Sequence, residues 1–132
     1  MNKIEHIGIA VRNIEQASGI YERLLGFKSY KREIVKSEGV ITEFFRIGDE
    51  KIELLEADSL DSPIAKFIEK RGEGIHHIAV SVDDIQAEMK RLKKEGFHLL
   101  SDVPRPGADN KLVCFLHPKD ANGVLIELCQ DL

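Results

Sequence analysis

The sequence predicts an α+β protein in which a unit of one strand, one helix and three further strands is written twice. The segment "IEHIGIAVRNI" (4–14) aligns with "IHHIAVSVDDI" (75–85), and "KIELLE" (51–56) aligns with "VLIELC" (124–129). The offset between the two copies is about 70 residues throughout, which is typical of a duplicated supersecondary unit. We therefore predict one domain that comprises all residues from 1 to 132, with a first βαβββ module near 1–57, a connecting segment at 58–73 and a second module near 74–132.

Two amphipathic helices are predicted by their capping residues and by the spacing of their apolar side chains. The first begins after Asn13, which offers an N-cap with Gln16 three residues further on, and ends at Gly26, which can adopt the left-handed C-cap conformation. The second repeats this pattern, with Asp83 or Asp84 at its start. Each module therefore has its helix directly after its first strand.

Three strands are expected after each helix, together with one short helix between the modules. Pro63 fits the first helical position, so we predict a connecting helix near 63–70. The segment "VPRPGADNK" (103–111) is rich in proline and glycine and predicts a loop able to close over a ligand. The strands are expected near 28–37, 39–47, 50–57, 97–101, 111–117 and 123–130.

Composition and charge exclude several classes of partner. The net charge is −4 and no basic stripe is present, so neither nucleic acid nor an anionic membrane is expected as a partner. No apolar run approaches the ~20 residues of a membrane helix. The N-terminal strand pattern has no signal-peptide features, so we expect a cytoplasmic protein. Cys114 and Cys129 lie in apolar strands, which indicates neither a disulfide scaffold nor a zinc knuckle.

Strand alternation separates the histidines onto two faces. His6 shares a face with Gly8 and Ala10, and His77 shares one with Ala79 and Ser81, whereas the larger side chains point the other way. The small-residue face leaves room for a ligand. His76 has the opposite parity and is expected to face the helix. The two remaining histidines lie at a strand start and a strand end and are expected at the surface or in loops: His98 and His117.

Two glutamates follow the same logic as the histidines. Glu53 and Glu127 each interrupt an apolar strand and can project onto the face that carries the histidine of their own module. If the modules fold about a pseudo-twofold axis, two imidazoles and two carboxylates meet in one cleft. A lone strand histidine is more often a core residue, but the recurrence in both modules favours a metal site. Such a set suits Co, Mn, Ni, Fe or Zn.

Glu43 belongs to one module only, since Val113 occupies about the matching position in the other. It shares a strand face with Ile41, Phe45 and Ile47. A carboxyl group among apolar neighbours has a raised pKa, which suits a general base. The alternative interpretation is an exposed acid on an edge strand.

At these residues the chain resembles the vicinal-oxygen-chelate superfamily (glyoxalase, bleomycin-resistance and dioxygenase proteins) and, within it, the methylmalonyl-CoA epimerase family. The resemblance extends over the whole chain and is most specific in "IEHIGIAV" (4–11), in the long segment from "IELLEADS" to "VSVDDI" (52–85) and in "LHPKDANGVLIEL" (116–128). It implies paired βαβββ modules that form a cupped mixed sheet around a divalent metal ion. It further implies cobalt as the metal, and a homodimer.

The resemblance implies that the two forms of methylmalonyl-CoA, 2R and 2S, are interconverted by removal of the proton at C2 and its return to the opposite face. The metal ligands carried over by position are His6, Glu53, His77 and Glu127. Two proton donors are required, and Glu43 and Glu127 are the candidates, with water as an alternative to either. Glu43 falls where several bacterial members have a catalytic glutamate, with Thr42 as the alternative in the alignment.

Three other functions remain open on the sequence. A glyoxalase-type isomerase uses the same four ligands on a glutathione hemithioacetal. A ring-cleaving dioxygenase binds Fe(II) through two histidines and one glutamate, and the fourth protein ligand argues against it. A metal-free binding module of the same fold has no need of ligand residues in register.

Overall fold

A computed structural model describes residues 1–132, and it contains three helices and eight strands. The prediction of an α+β fold is confirmed. The elements in chain order are β1 (Lys3–Ala10), α1 (Ile14–Leu25), β2 (Lys31–Val35), β3 (Val40–Ile47), β4 (Glu50–Ala57), α2 (Pro63–Arg71), β5 (Gly74–Ser81), α3 (Ile85–Lys94), β6 (Arg105–Pro106), β7 (Lys111–Leu116) and β8 (Ile126–Asp131). Two short 3-10 turns, Lys36–Glu38 and Pro118–Ala121, precede β3 and β8.

The chain divides into two compact units. The terminal unit consists of Met1–His6 and His77–Leu132, and the central unit consists of Ile7–His76. The boundaries fall inside β1 and β5, so each of these strands contributes residues to both units. The modules predicted near 1–57 and 74–132 follow the repeat in the sequence and stay a prediction.

The central unit places one helix on a short run of strands. Its strand order is β2-β3-β4-β1, with β2, β3 and β4 antiparallel neighbours. Helix α1 begins because the Asn13 side chain accepts a hydrogen bond from the backbone N–H of Gln16, and it ends at Gly26 with φ of 86°. Its apolar stripe packs on Phe45 and Leu54, both fully buried. The predicted caps of this helix are confirmed.

The terminal unit repeats this arrangement around α3. Its strand order is β1-β5-β8-β7-β6, with β5 and β8 parallel. The Asp84 side chain caps the helix by accepting from the backbone N–H of Ala87, which decides between the two aspartates proposed from the sequence. The buried side chains Met89 and Leu92 pack on Leu128 of β8. Burial of each such side chain contributes about 1.5–3 kcal/mol, so both helices are fixed to the sheet chiefly by their apolar stripes.

Two predicted strand positions differ from the structure. The strand expected at 97–101 is reduced to a single bridge between Leu99 and Leu116, with one backbone hydrogen bond on each side of it. The backbone N–H of His98 donates to the Asp120 carboxylate and is not available to extend the pairing. Strand β6 instead forms at residues 105–106, inside the segment predicted as a loop.

The connecting helix was predicted near 63–70 and is confirmed as α2, with Ser62 as its N-cap and Pro63 in its first turn. None of the three helices has the length and apolar character that a membrane crossing requires. Cys114 and Cys129 are buried and form no disulfide, as expected for small apolar core residues.

Candidate metal centre

Three ligand-type side chains meet on one face of the terminal unit. The register pairs Ala79 of β5 with Glu127 of β8, and Phe115 of β7 with the same glutamate. Paired residues share a face, and His77 lies two positions before Ala79 on β5, so His77 and Glu127 point the same way. The His77 ring contacts Phe115 edge to face, with centroids 5.8 Å apart. His6 reaches the same place from β1.

The three side chains present their ligand atoms as a nearly equilateral triangle. Nε2 of His6 lies 3.0 Å from Nε2 of His77, and each nitrogen lies 3.1 Å from Oε1 of Glu127. All three residues are buried. Bonds of ~2.1 Å at right angles set ligand atoms about 3.0 Å apart. The spacing of these donors therefore fits a single divalent ion bound to all three side chains.

The charge of Glu127 is maintained by its histidine neighbours. Burial by itself raises the pKa of the Glu127 carboxyl, but hydrogen bonds from His6 and His77, when these rings carry the protons, lower it below the ordinary value of 4.5. An ionised carboxylate and two imidazole nitrogens are the donor set that transition metals and zinc accept. The sequence-predicted ligands His6, His77 and Glu127 are thus brought together in the terminal unit.

The fourth predicted ligand, Glu53, lies in the central unit. It is buried on β4, and its Oε2 accepts a hydrogen bond of 2.9 Å from the Thr42 hydroxyl on β3. This bond orients the carboxylate, as is usual for residues that support a metal ligand. The role of Glu53 as a ligand stays a proposal.

The Glu43 side chain on β3 points to the opposite side of the sheet from the side chains of Thr42 on β3 and Glu53 on β4. The register pairs Glu43 with Leu54, which packs on α1. Its carboxylate accepts a hydrogen bond from the Ser18 hydroxyl of α1. The Arg32 guanidinium of β2 also donates to it, with Nε 2.7 Å and Nη2 2.6 Å from Oε1 of Glu43. Glu43 thus connects the helix to two strands of the central unit.

The pKa of Glu43 corrects the sequence-based expectation. Burial raises the pKa of this carboxyl, as predicted, but the hydrogen bonds from Ser18, Ser29 and Arg32 and the charge of Arg32 together lower it below its ordinary value of 4.5. The prediction of a raised pKa is therefore wrong, because polar partners from α1 and β2 outweigh the desolvation. The assignment of Glu43 as a base stays a prediction, and its contacts support a structural role.

Replacement of Glu43 by glutamine is expected to lower the free energy of unfolding by about 1.5–3 kcal/mol near neutral pH, because hydrogen bonds to a charged group are lost. A folded-state pKa below 4.5 means that this contribution is present above pH 4.5 and is lost as the pH falls through the folded-state value. The difference between wild type and variant should therefore shrink below pH 4.5 in urea unfolding at several pH values.

Glu33→Gln is a matched control for this prediction, because Glu33 forms a partly exposed ion pair with Lys31 on β2. It should change the stability by less than about 1 kcal/mol. A Glu43→Gln protein of unchanged stability whose turnover falls by roughly 10²-fold would instead support the base assignment.

The remaining histidines have other surroundings. His76 belongs to the central unit, where its ring packs edge to face on Phe67 of α2 with centroids 4.9 Å apart. His98 is largely exposed and pairs with Asp120, at 2.8 Å between Nδ1 and the carboxylate. His117 caps the second 3-10 turn through Nδ1. The exposed position of His98 agrees with the sequence-based expectation, and His117 is half-buried at the start of a 3-10 turn.

Two charged residues lie beside the centre in contacts that the sequence did not predict. Glu5 precedes His6 and has the opposite strand parity, yet it is buried, and its Oε1 lies 3.1 Å from Nδ1 of His6. Lys111 of β7 lies 3.8 Å from the other Glu5 oxygen and also pairs with Asp131. Strand alternation predicts that Glu5 points to the opposite face from His6. Its position next to His6 in the sequence was therefore the only indication that it contacts this candidate ligand.

The class of protein follows from comparison with known families. The model of the Glyoxalase/Bleomycin resistance protein/Dioxygenase superfamily matches residues 5–115. The chain therefore belongs to this superfamily, as the resemblance predicted.

The individual relatives within the superfamily include methylmalonyl-CoA epimerases. The mitochondrial methylmalonyl-CoA epimerase of Homo sapiens is 40% identical over 131 residues, which cover 98% of this chain and 74% of the human one. The ethylmalonyl-CoA/methylmalonyl-CoA epimerase of Cereibacter sphaeroides is 42% identical over 132 residues, which cover 98% of each chain. The predicted similarity to methylmalonyl-CoA epimerases is confirmed.

Solved structures agree with the sequence relatives. The methylmalonyl-CoA epimerase of Mycobacterium tuberculosis has a TM-score of 0.94 at 36% identity, covering 98% of this chain and 88% of that one. A methylmalonyl-CoA epimerase solved in complex with methylmalonyl-CoA and NH4+ has a TM-score of 0.97 at 34% identity, covering 99% of this chain and 95% of that one. The fold of this chain is thus that of the epimerases.

Proposed function

We propose that this chain is a metal-dependent epimerase that interconverts the 2R and 2S forms of methylmalonyl-CoA. The observation that carries the proposal is the triangle of His6, His77 and Glu127, in a chain that matches epimerases over almost its full length. Buried residues of this kind, brought together from three strands, are typical of a functional centre.

The proposed ligands are His6, His77 and Glu127, with Glu53 as the fourth. Cobalt is the proposed metal by resemblance, and manganese, nickel and zinc suit the same donors. A bound divalent ion would supply positive charge that stabilises an enolate at the thioester of the substrate. The C2 proton would then be more acidic and easier for a base to remove. The protein's part is to hold these donors in a buried, rigid arrangement.

Glu127 is proposed to act both as a ligand and as a proton carrier. Its Oε1 is the atom that lies 3.1 Å from both histidine nitrogens, so Oε2 is proposed to accept the proton. The second proton carrier is either Glu43 or a water molecule. The hydrogen bonds that tie Glu43 to Ser18 and Arg32 favour water in this role.

The remaining parts of the proposal rest on resemblance. A homodimer and a cytoplasmic location are proposed on that basis and on the sequence. A glyoxalase-type isomerase stays the second candidate function because it shares the ligand set and also moves a proton next to a carbonyl. The two candidates differ in the substrate from which a proton is exchanged.

Incubation of the metal-loaded protein with methylmalonyl-CoA in D2O is expected to introduce deuterium at C2 while the stereocentre scrambles. The reason is that an enolate has lost its C2 proton and must regain one that originates from solvent. Proton NMR of the C2 hydrogen and of the adjacent methyl signal measures both events, and the spontaneous exchange without protein provides the background.

The control is the His77→Ala variant, which should show the background rate only. A protein that converts a glutathione hemithioacetal but leaves the C2 hydrogen of methylmalonyl-CoA in place would transfer the chain to the glyoxalase-type alternative.

A further inference from the structure

Glu5 and His6 form a buried pair whose geometry favours a proton on Nδ1 of the imidazole. The Glu5 side chain is 5% exposed, and its Oε1 lies 3.1 Å from Nδ1 of His6. An ionised carboxylate is an acceptor only, so the hydrogen bond requires the proton to be on Nδ1. When the ring is neutral, its lone pair is then on Nε2, and this is the tautomer that can bind a metal ion through Nε2.

That lone pair points at two other potential ligand atoms. Nε2 of His6 faces Nε2 of His77 at 3.0 Å and Oε1 of Glu127 at 3.1 Å. With the proton on Nδ1, Nε2 of His6 and Oε1 of Glu127 are both acceptors, and the space between them suits either a proton on Nε2 of His77 or a cation bound to all three side chains. Without Glu5, the ring can place its proton on Nε2 and donate it to Glu127, which blocks the nitrogen for a metal ion.

Lys111 stabilises Glu5 in this position. Its ammonium lies 3.8 Å from Oε2 of Glu5, and its side chain is only 13% exposed. A buried carboxylate without a cation is strongly unfavourable, so a nearly buried lysine at this distance compensates the charge. A second carboxylate, Asp131, holds the lysine from the solvent side.

We propose that Glu5 is a positioning residue that selects the Nδ1–H tautomer of His6 and so keeps Nε2 open for the metal ion, with Lys111 as its supporting cation. This inference rests on the metal site of the proposed function. It adds a residue that touches neither metal nor substrate and acts only through His6, in the way carboxylates commonly support metal-binding histidines.

The test uses Glu5→Ala, which removes the acceptor, and Glu5→Gln, which removes the charge but keeps an oxygen that can accept from Nδ1. Nitrogen NMR of 15N-labelled histidine, recorded on metal-free protein at a pH where the imidazoles are neutral, reports the tautomer of His6. Competition with a chelator reports the affinity for Co²⁺ and Zn²⁺. Urea unfolding shows that each variant is folded.

Wild-type protein is expected to carry the proton on Nδ1, Glu5→Gln to retain this tautomer, and Glu5→Ala to shift toward Nε2–H. Metal affinity should fall by about 10–100-fold in Glu5→Ala and by less in Glu5→Gln, the usual range for the loss of such a partner. Asp120→Ala is the matched control, because it removes a carboxylate from another histidine, His98, and should leave both readouts unchanged.

A folded Glu5→Ala protein with the wild-type tautomer and wild-type affinity would overturn the inference, as would a wild-type protein with the proton on Nε2. The tautomer is read without metal, so it tests Glu5 even if no divalent ion binds the wild type. In that case the proposed function fails separately.

Discussion

Replacement of His77 by alanine is expected to remove metal binding and epimerase activity together. The His77 imidazole supplies one corner of a triangle whose other corners lie 3.0 Å and 3.1 Å away, and no smaller side chain at this position reaches them. We expect the affinity for Co²⁺ to fall by more than about 10²-fold, beyond the range seen when only a supporting partner is lost. Elemental analysis after dialysis, together with a rate assay, measures both effects.

His76→Ala is the matched control, because the two histidines are sequence neighbours on the same strand. The His76 ring packs on Phe67 in the central unit and does not belong to the triangle. This variant should retain the metal, and the loss of the ring contact should lower its stability by about 0.5–1.5 kcal/mol. A His76→Ala protein that loses the metal beside a His77→Ala protein that keeps it would show that the ligand has been assigned to the wrong histidine.

Glu127→Gln is expected to impair metal binding and proton transfer at the same time. The amide keeps the shape of the side chain but has no charge, so the attraction for a divalent ion is weaker and the group is no longer a base. We expect an affinity loss of at least about tenfold, and a loss of turnover of roughly 10²–10⁴-fold that saturating metal does not restore. Metal titrations at fixed substrate concentration separate the two effects.

The comparison variant is Glu127→Asp, which retains the charge but withdraws the carboxylate by one methylene group. It should bind metal more tightly than the glutamine variant and remain slow, because the oxygen no longer lies 3.1 Å from both histidines. Full recovery of turnover by Glu127→Gln at saturating metal would restrict Glu127 to the role of a ligand. A different residue or a water molecule would then move the proton.

Short-range sequence patterns were sufficient to predict the helices and the strand faces on which the candidate ligands His6, His77 and Glu127 lie. The Asn13 cap was predictable because a capping hydrogen bond joins residues only three positions apart, and the start of α2 was predictable because proline favours the first helical turn. The shared face of His77 and Glu127 was readable because side chains alternate along every strand, and the repeat shows which strands correspond. Both are properties of short segments and of their order in the chain.

The predicted strand at 97–101 failed for a reason that short segments do not contain. Its apolar pattern suits a strand, but the backbone N–H of His98 donates to Asp120, which is 22 residues further along the chain. A propensity argument gives the preference of a segment in isolation, and a tertiary hydrogen bond of this kind overrides it.

The α+β class, the two caps of α1 and the candidate ligands that cluster were predictable from the sequence by itself, because each depends on local spacing or on the repeat. Only the tertiary structure decided the electrostatics of the acids. Glu43 has a lowered pKa because α1 and β2 bring Ser18 and Arg32 to it, and Glu5 supports His6 beside Lys111 of β7. The charge state of a buried carboxyl depends on partners that are distant in sequence, and folding alone brings those partners to it.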